Sequence, residues 1–283
     1  MPPRSNPTAR QERLGTELRK LRERAGLTAR EVAQLLEVDQ AKVSHLEAGR
    51  VSVSEERIRR LASHCACDDR PLVEALVMMA TERVRGWWEE HRGVLPRGFL
   101  DLAEAEFHAE SVRMVRIADI PGIMQTEAHA RSLFGYTVPE LSPDELEARV
   151  AHRVQRRAVL NRCPPPVLQA VIHEAALRMQ VGGASTAREQ LALLLELSEL
   201  PTVEIRVIPF SSSSFAGPGC SMYYLTGPVP QLDTVHLDTP LKGVFLDAEA
   251  QLRRYRTLFH KIRAVSLAPR ESRDLISRAA KDL

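Results

Sequence analysis

Residues 27–50 of this chain, LTAREVAQLLEVDQAKVSHLEAGR, are incompatible with one continuous amphipathic helix. At 100° per residue, the larger apolar side chains would spread around the helix axis instead of forming one stripe. A break near Glu37 places these side chains on a common apolar face. The segment therefore predicts two short helices joined by a turn. The side chains concerned are Leu35, Leu36, Val38, Val43 and Leu46.

The residues around the turn predict how the two helices pack. Ala33 is small enough for the second helix to cross closely, and Val38 fills the turn. Val43 and Leu46 then face the same core as Leu18, which lies on the helix predicted before this pair. This is helix–turn–helix geometry, in which the second helix stands exposed at the surface and can enter a DNA groove.

Capping residues divide the N-terminal part of the chain into five short helices. The first has apolar residues at helical spacing over 9–25 and ends at Gly26. The others begin at polar N-caps or at proline, both of which favour helix starts. These starting residues are Thr28, with Glu31 completing a capping box, Asp39, Ser54 and Pro71. We therefore predict a mainly α, five-helix domain over residues 1–82.

Charge is distributed unevenly along the chain. Residues 1–63 hold 13 Lys and Arg against 9 Asp and Glu, a net charge of +4. The remainder holds 26 against 28, a net charge of −2. The basic excess at the front suits a nucleic-acid partner, although solvated helix faces are the commoner cause of such runs.

The second helix of the pair presents a polar side opposite Val43 and Leu46. Glutamine bonds adenine edges, serine and histidine bond several bases, and alanine contacts the thymine methyl group. Basic side chains and helix N-termini suit phosphates instead. Each position is also compatible with an ordinary solvated helix surface. The base-contacting candidates are Gln40, Ala41, Ser44 and His45, and the phosphate-contacting candidates are Thr28, Arg30, Lys42 and Arg50.

The stretch LRKLRERAGLTAREVAQLLEVDQAKVSHLEAGR resembles the XRE, or lambda-repressor-like, helix–turn–helix family, and the resemblance covers residues 1–65. It implies DNA-binding regulation of transcription and a structural ion pair between Arg22 and Glu47. Two positions depart from the family pattern. Ala29 replaces a common glutamine that contacts phosphate, and Glu37 replaces a common glycine. A left-handed backbone at Glu37 would cost about 1 kcal/mol.

The rest of the chain predicts a second, larger domain of mixed α+β structure. Residues 83–96 contain paired tryptophans and two glycines and predict a linker or hinge, followed by the second domain over 97–283. Residues 102–114 predict a helix. Trp87 and Trp88 would either line a ligand pocket or bury the hinge. Four segments predict strands, namely 167–172, 203–208, 222–226 and 234–237.

The motifs PGIMQT, HEAALR and VIPF, in that order, resemble the uncharacterised domain found behind helix–turn–helix units in WhiJ-like regulators of actinobacteria. The resemblance spans nearly all of residues 84–277. It implies regulation of transcription, often beside a small partner protein. The Arg-Gln pair usual before the triple proline is Arg156-Arg157 here.

No pattern in the second domain predicts an enzyme, and we expect no catalytic residue, metal or cofactor. His173-Glu174 lacks the second histidine of HExxH, and a lone histidine in an apolar strand is usually a core residue. His236 and Asp238 share a strand face, which suits an acid/base pair or, more simply, a surface pairing. Residues 217–221, GPGCS, lack the GxSxG elbow and predict a loop.

Cysteine usage also argues against a metal or disulfide framework. Only two cysteines cluster, within residues 64–68, HCACD, which is weak as a metal motif. We expect all four cysteines, Cys65, Cys67, Cys163 and Cys220, to be reduced thiols.

These features predict a sequence-specific, DNA-binding transcription regulator. No apolar run is long enough for a membrane span or signal peptide, so we expect a cytoplasmic protein. We expect a homodimer on a near-palindromic operator, with residues 97–283 serving sensing, partner binding or dimerisation. The alternative is an antitoxin-like or anti-regulator protein whose second domain binds a small partner protein. The effector, whether a small molecule or a protein, is open.

Overall fold

The computed structural model describes residues 3–82, 84, 86–215, 221–239 and 243–283. The chain separates into two compact units. The first, here called the helical unit, comprises residues 1–86 together with 228–232. The second, here called the sheet unit, comprises residues 87–227 and 233–283. Within the described ranges, no helix is both long and apolar enough to cross a bilayer.

The helical unit contains the five predicted helices. Each is preceded by a side chain that accepts a backbone N–H from its first turn, as predicted for Thr28, Asp39 and Ser54. The caps Thr8 and Asp69 were not predicted, and Pro71 lies just inside the helix that it was expected to start. The helices are α1 (Ala9–Arg24), α2 (Ala29–Leu35), α3 (Gln40–Glu47), α4 (Glu55–His64) and α5 (Arg70–Thr81). The N-caps are Thr8, Thr28, Asp39, Ser54 and Asp69.

The core of the helical unit joins both helices of the predicted pair to α1. The predicted core residues Leu18, Ala33, Val43 and Leu46 are all buried together, and Val38 packs against them half-buried. The same core contains Val229 and Leu232, from residues 228–232. The helical unit is therefore completed by a segment from a distant part of the chain.

The sheet unit is built on a six-stranded mixed sheet within the described residues, which confirms the α+β prediction. The strand order is β3-β2-β1-β4-β5-β6. Strands β1, β2 and β3 pair in parallel, and β4, β5 and β6 continue the sheet antiparallel. The strands are β1 (Ser111–Arg116), β2 (Val167–His173), β3 (Val203–Ile208), β4 (Met222–Thr226), β5 (Thr234–Asp238) and β6 (Gly243–Leu246).

Helices cover both faces of this sheet. Leu194 and Ile276 pack against one face, while Phe259 and Ile262 pack against the other. The parallel strands are accordingly buried on both sides, as their apolar runs require. The helices are α6 (Arg97–His108), α7 (Glu127–Phe134), α8 (Pro143–Gln155), α9 (Glu174–Arg178), α10 (Ala184–Leu197), α11 (Glu249–Ala264) and α12 (Pro269–Lys281).

Two strands were missed by the sequence patterns. The helix predicted over 102–114 ends at His108, and Ser111–Arg116 forms the central strand β1 instead. Its sequence, SVRMVR, alternates in a way typical of a strand, and one parallel and one antiparallel neighbour fix it there. β6 has only four residues and too short a pattern to predict a strand.

Most of the segment predicted as a hinge, residues 83–96, belongs to the sheet unit. The sheet unit already begins at Trp87, in a 3₁₀ helix over Trp87–His91. Trp88 is 2% exposed and packs against Leu95 and Leu100. Burial of its large apolar ring stabilises the start of the sheet unit. Arg83 and Arg85 lie outside the described residues.

The cysteines in the described ranges are Cys65, Cys67 and Cys163, and all three carry free thiols. Burial raises the pKa of the Cys65 thiol, which disfavours the reactive thiolate. Cys220 and residues 217–220 of the loop predicted over 217–221 lie outside the described residues.

Candidate nucleic-acid interface

Helix α3 carries the polar surface that the sequence predicts. Gln40, Ala41 and Ser44 are exposed, and His45 is half-buried beside them. On the opposite side, Val43 is 2% exposed and Leu46 is 6% exposed. The structure thus brings all four base-contacting candidates onto the outer side of one short helix, here called the α3 ridge (Gln40, Ala41, Ser44, His45).

An ion pair fixes the C-terminal end of α3 to α1. Arg22 donates from Nε to Oε1 of Glu47 over 2.5 Å and from Nη2 to Oε2 over 3.0 Å. Its Nη1 donates to the Leu27 carbonyl over 2.8 Å, which also ties down the connection between α1 and α2. The Glu47 carboxylate raises the pKa of Arg22. A fork-to-fork pair of this kind fixes orientation as well as distance.

Two glycines that sequence reasoning missed allow α1 and α3 to touch. A Cβ on Gly15 would lie 2.5 Å from the Glu47 carbonyl oxygen. Gly49 follows α3 with φ of +69°, and a Cβ there would lie 2.5 Å from the Gln11 carbonyl oxygen. Gly15 itself was a signal of this close packing. A glycine inside a helix lowers helix stability by about 1 kcal/mol relative to alanine, so its presence indicates that a neighbouring element approaches closely.

The turn between α2 and α3 adopts the strained backbone expected at Glu37, with φ of 56°. Its carboxylate lies 3.2 Å from Nη2 of Arg60, and the same Nη2 donates to the Leu35 carbonyl at the end of α2 over 2.9 Å. The break near Glu37 is therefore confirmed. Arg60 thus links the end of α2 to the Glu37 side chain of the turn.

The phosphate-contacting candidates divide into two groups. Arg30 and Arg50 are exposed and Lys42 is half-buried, so their cationic groups can reach solvent. The Thr28 hydroxyl is already engaged, because it donates to Oε2 of Glu31 over 2.7 Å and accepts from the Glu31 N–H. Thr28 therefore shapes the α2 N-terminus more than it offers a hydroxyl to a phosphate.

Two family models match this chain, one in each unit. The model of a helix–turn–helix domain matches residues 13–76, which include α2, the turn and α3. The model of a domain of unknown function, DUF5753, matches residues 99–278, well over half of the chain. The chain belongs to the DUF5753 family. No curated protein and no solved structure matches it significantly.

This DUF5753 protein thus carries a helix–turn–helix domain. In its sheet unit, the acid/base candidates His173 and Glu174 have structural partners. Nδ1 of His173 accepts the Ala175 N–H over 3.2 Å, which caps α9. Glu174 accepts the Phe210 N–H over 2.9 Å and also pairs with Arg178. Within the described ranges, no cluster of three or more His, Cys, Asp or Glu is placed to hold a metal ion.

His236 does not form the surface pairing predicted with Asp238. Its ring is 2% exposed, and Nδ1 lies 3.7 Å from Oδ1 of Asp238. Burial lowers the pKa of His236 to about 4, so the ring is neutral at pH 7. The surface interpretation failed because β6, which was missed, pairs with His236 through Phe245.

The paired tryptophans lie in an aromatic cluster inside the sheet unit. The Trp87 ring centroid is 5.0 Å from that of His152, and the Trp88 centroid is 5.1 Å from that of Phe107. Burial is the first cause that lowers the pKa of His152, to about 3. The geometry gives Trp88 a core position and leaves Trp87 half-buried at the cluster's edge.

Proposed function

We propose that this protein is a sequence-specific DNA-binding transcription regulator that places α3 in the major groove. The observation that carries this proposal is the α3 ridge. Its polar side chains face outward, while Val43 and Leu46 on the same helix are buried. A helix presented in this way fits the width of the B-DNA major groove.

Rigid support of α3 favours recognition over non-specific binding. The Arg22–Glu47 ion pair and the contacts at Gly15 and Gly49 fix the helix end against α1. A helix held at a fixed angle keeps its side chains in register with base edges. We assign the unit to the XRE-type regulators on this basis.

The protein acts on DNA as a homodimer in this proposal. Two α3 helices would then bind half-sites about one DNA turn apart, roughly 34 Å, on a near-palindromic operator. The DUF5753 region supplies sensing, partner binding or dimerisation in this proposal. We expect no catalysis from it, because His173 and Glu174 are engaged in structural hydrogen bonds.

The proposal is tested by selecting ligands for the full-length protein from a randomised duplex pool. Affinity for the selected duplex is then measured in the variants Gln40→Ala, Ser44→Ala and His45→Ala. We expect removal of each base contact to weaken binding by about 1–3 kcal/mol, or roughly 5–150-fold.

Arg50→Ala should instead weaken binding to all sequences alike and reduce the dependence of log Kd on log salt by about one unit. The matched control is Arg253→Ala on α11, whose side chain is 73% exposed, and it should bind as the wild type does. Selection without any enriched sequence would overturn the proposal, as would unchanged affinity in all three α3 variants.

A further inference from the structure

Three arginines converge inside the sheet unit, where an apolar core would be expected. They are Arg116 on β1, Arg153 on α8 and Arg156 in the 3₁₀ turn that follows α8, and together they are here called the arginine cluster. Arg116 and Arg156 are each 5% exposed, and Arg153 is half-buried. Charged side chains are rarely buried to this extent unless a partner compensates them.

Gly122 is the point at which two of these side chains meet. A Cβ built on it would lie 2.8 Å from Nη1 of Arg156 and 3.2 Å from Nη1 of Arg153. The Gly122 N–H donates to the Tyr223 hydroxyl over 2.9 Å. The missing side chain of Gly122 therefore makes room for two like-charged groups beside a buried hydroxyl.

Two members of the arginine cluster have carboxylate partners. Arg156 donates to both oxygens of Glu106, over 2.8 and 2.5 Å, in a pair that is buried on both sides. Arg116 donates to Asp238 over 2.7 Å and lies 3.3 Å from Asp119. Those two aspartates are 53% and 42% exposed, so the arginine cluster reaches the surface on their side.

Arg153 has no ion pair within the described part of the chain. It donates to Oε1 of Gln125 over 2.5 Å, and its guanidinium lies 4.7 Å from the Phe134 ring centroid. Burial, followed by the nearby Arg156 charge, lowers the pKa of Arg153 to about 10. The Asp238 charge acts on this pKa in the opposite direction, but Arg153 remains the one member of the arginine cluster without an ion-paired carboxylate in the described ranges.

Unpaired polar atoms surround the same place. The Nε atoms of Arg116 and Arg153, Nδ1 of His236 and both ring nitrogens of His129 are buried without a hydrogen-bond partner. Both histidine rings are near enough for the cluster's charge to lower their pKa values, Arg153 acting on His129 and Arg156 on His236. An unpaired atom of this kind costs about 1–3 kcal/mol, so hydrogen bonds from these atoms to a bound polar group would be favourable.

We propose that the arginine cluster binds a compact oxyanion, a phosphate or carboxylate group carried by a small molecule. Guanidinium groups match the oxygens of both groups in bidentate geometry. The Tyr223 hydroxyl, which already accepts the Gly122 N–H, can donate its own proton to the same anion. This site deepens the sensing role of the DUF5753 region and depends on the proposed function only for that consequence, not for binding itself.

The test uses full-length protein without DNA, so its outcome is independent of operator binding. Thermal unfolding and calorimetric titration are recorded with inorganic phosphate and with acetate, each against chloride at matched ionic strength. We expect one of the two oxyanions to bind saturably and to raise the unfolding temperature. Preference for phosphate or for acetate then identifies which group the natural ligand carries.

Arg153→Met is the decisive variant. The charge that it removes is not ion-paired, so the substitution leaves no carboxylate without its partner. We expect its Kd for the preferred anion to rise at least about tenfold, the loss of one charge-assisted pair. Gly122→Ala keeps every charge but fills the space between the two guanidinium groups, and it should weaken binding as well. Arg253→Met, at an exposed site on α11, is the matched control and should bind as the wild type does.

The inference is overturned if neither phosphate nor acetate binds saturably to the wild type. Unchanged affinity of Arg153→Met for the preferred anion would also overturn the inference. If that variant does not fold, unchanged affinity of Gly122→Ala overturns the inference instead. A protein that binds the anion but selects no DNA sequence would contradict the proposed function alone.

Discussion

The helical unit and the sheet unit differ in how completely their buried charges are paired. In the helical unit, Glu17 is 2% exposed but lies 2.8 Å from Lys20 and 3.3 Å from Arg13. In the sheet unit, Arg153 contacts an amide oxygen and a ring, with no ion pair in the described ranges. The first unit compensates its buried charge internally and directs its uncompensated polar groups outward along α3.

This difference distinguishes the α3 ridge, which presents side chains to a partner outside the protein, from the arginine cluster, which would bind a ligand inside it. The α3 ridge needs only a rigid helix whose polar side faces solvent, and capping and packing provide it. The arginine cluster instead holds desolvated donors in place at a cost in stability, which functional sites commonly impose on a fold. Two unfolding measurements test the buried charge of the sheet unit, and two test the packing that holds the helical unit and α3 rigid.

The largest expected effect is on pH dependence and arises in the sheet unit. Burial lowers the pKa values of His129 and His236 to about 4 and of His152 to about 3. Because the unfolded histidines protonate near pH 6.5, stability present above that pH is lost as the pH falls toward about 4. We expect each ring to cost about 2 kcal/mol of unfolding free energy between pH 7 and pH 5.

Urea unfolding of the full chain at pH 7 and at pH 5 measures this loss, which sums to about 6 kcal/mol for the three rings. His152→Gln should reduce the difference by about a third. Equal unfolding free energies at the two pH values would show that these rings are not held neutral.

The next largest effect concerns the buried ion pair of the arginine cluster. Glu106→Gln leaves the Arg156 guanidinium buried beside an uncharged amide, and we expect a loss of about 3–5 kcal/mol in urea unfolding. The matched control is Glu74→Gln, which breaks the exposed pair with Arg59 and should change nothing measurable. Similar effects of the two substitutions would mean that the sheet unit's charges are solvated like those on the surface.

A third effect tests whether residues 228–232 complete the helical unit. Leu232 is 7% exposed in that unit's core, so Leu232→Ala should lower its unfolding free energy by about 2–4 kcal/mol. Leu200→Ala removes the same atoms from a site that is 41% exposed and should cost under about 0.5 kcal/mol. If the two leucines behave alike, the helical unit is complete without that segment.

The smallest expected effect tests the close packing of α3 against α1. Gly15→Ala places a Cβ 2.5 Å from the Glu47 carbonyl oxygen, and we expect a loss of about 1–3 kcal/mol as α1 and α3 separate. Gly98→Ala, in α6 with nothing within 4 Å of the added atom, should be neutral or stabilising. A tolerated Gly15→Ala, scored by the same unfolding measurement, would remove the argument for close α1–α3 packing.

The sequence predicts the helical unit well because its signals are local. Caps at Thr28 and Asp39, the break at Glu37 and the apolar positions of α3 all lie within the stretch 27–50. The domain's five helices and its core follow from such local signals. Local signals could not predict that residues 228–232 join this core. Their packing there depends on tertiary contacts between segments that are far apart in the sequence.

The sheet unit is less predictable for the same reason. Arg149, Arg153 and Arg156 recur at helical spacing, a pattern usually typical of a solvated face. Whether this face is buried depends on β1, which brings Arg116, and on β4, which brings Tyr223 beside them. With β1 taken for a helix, nothing in the sequence indicated that these arginines share one site.

The proposed function requires the α3 ridge to read bases in the major groove, and purine N7 atoms are acceptors in that groove alone. A direct experiment replaces single purines of the selected operator with 7-deazapurines and measures the affinity of the wild type and of Gln40→Ala and Ser44→Ala. We expect about a tenfold loss for the wild type at one or more positions, and no further loss there in the variant that lacks the contacting side chain. Wild-type affinity that is unchanged by every 7-deaza substitution would contradict major-groove recognition by α3.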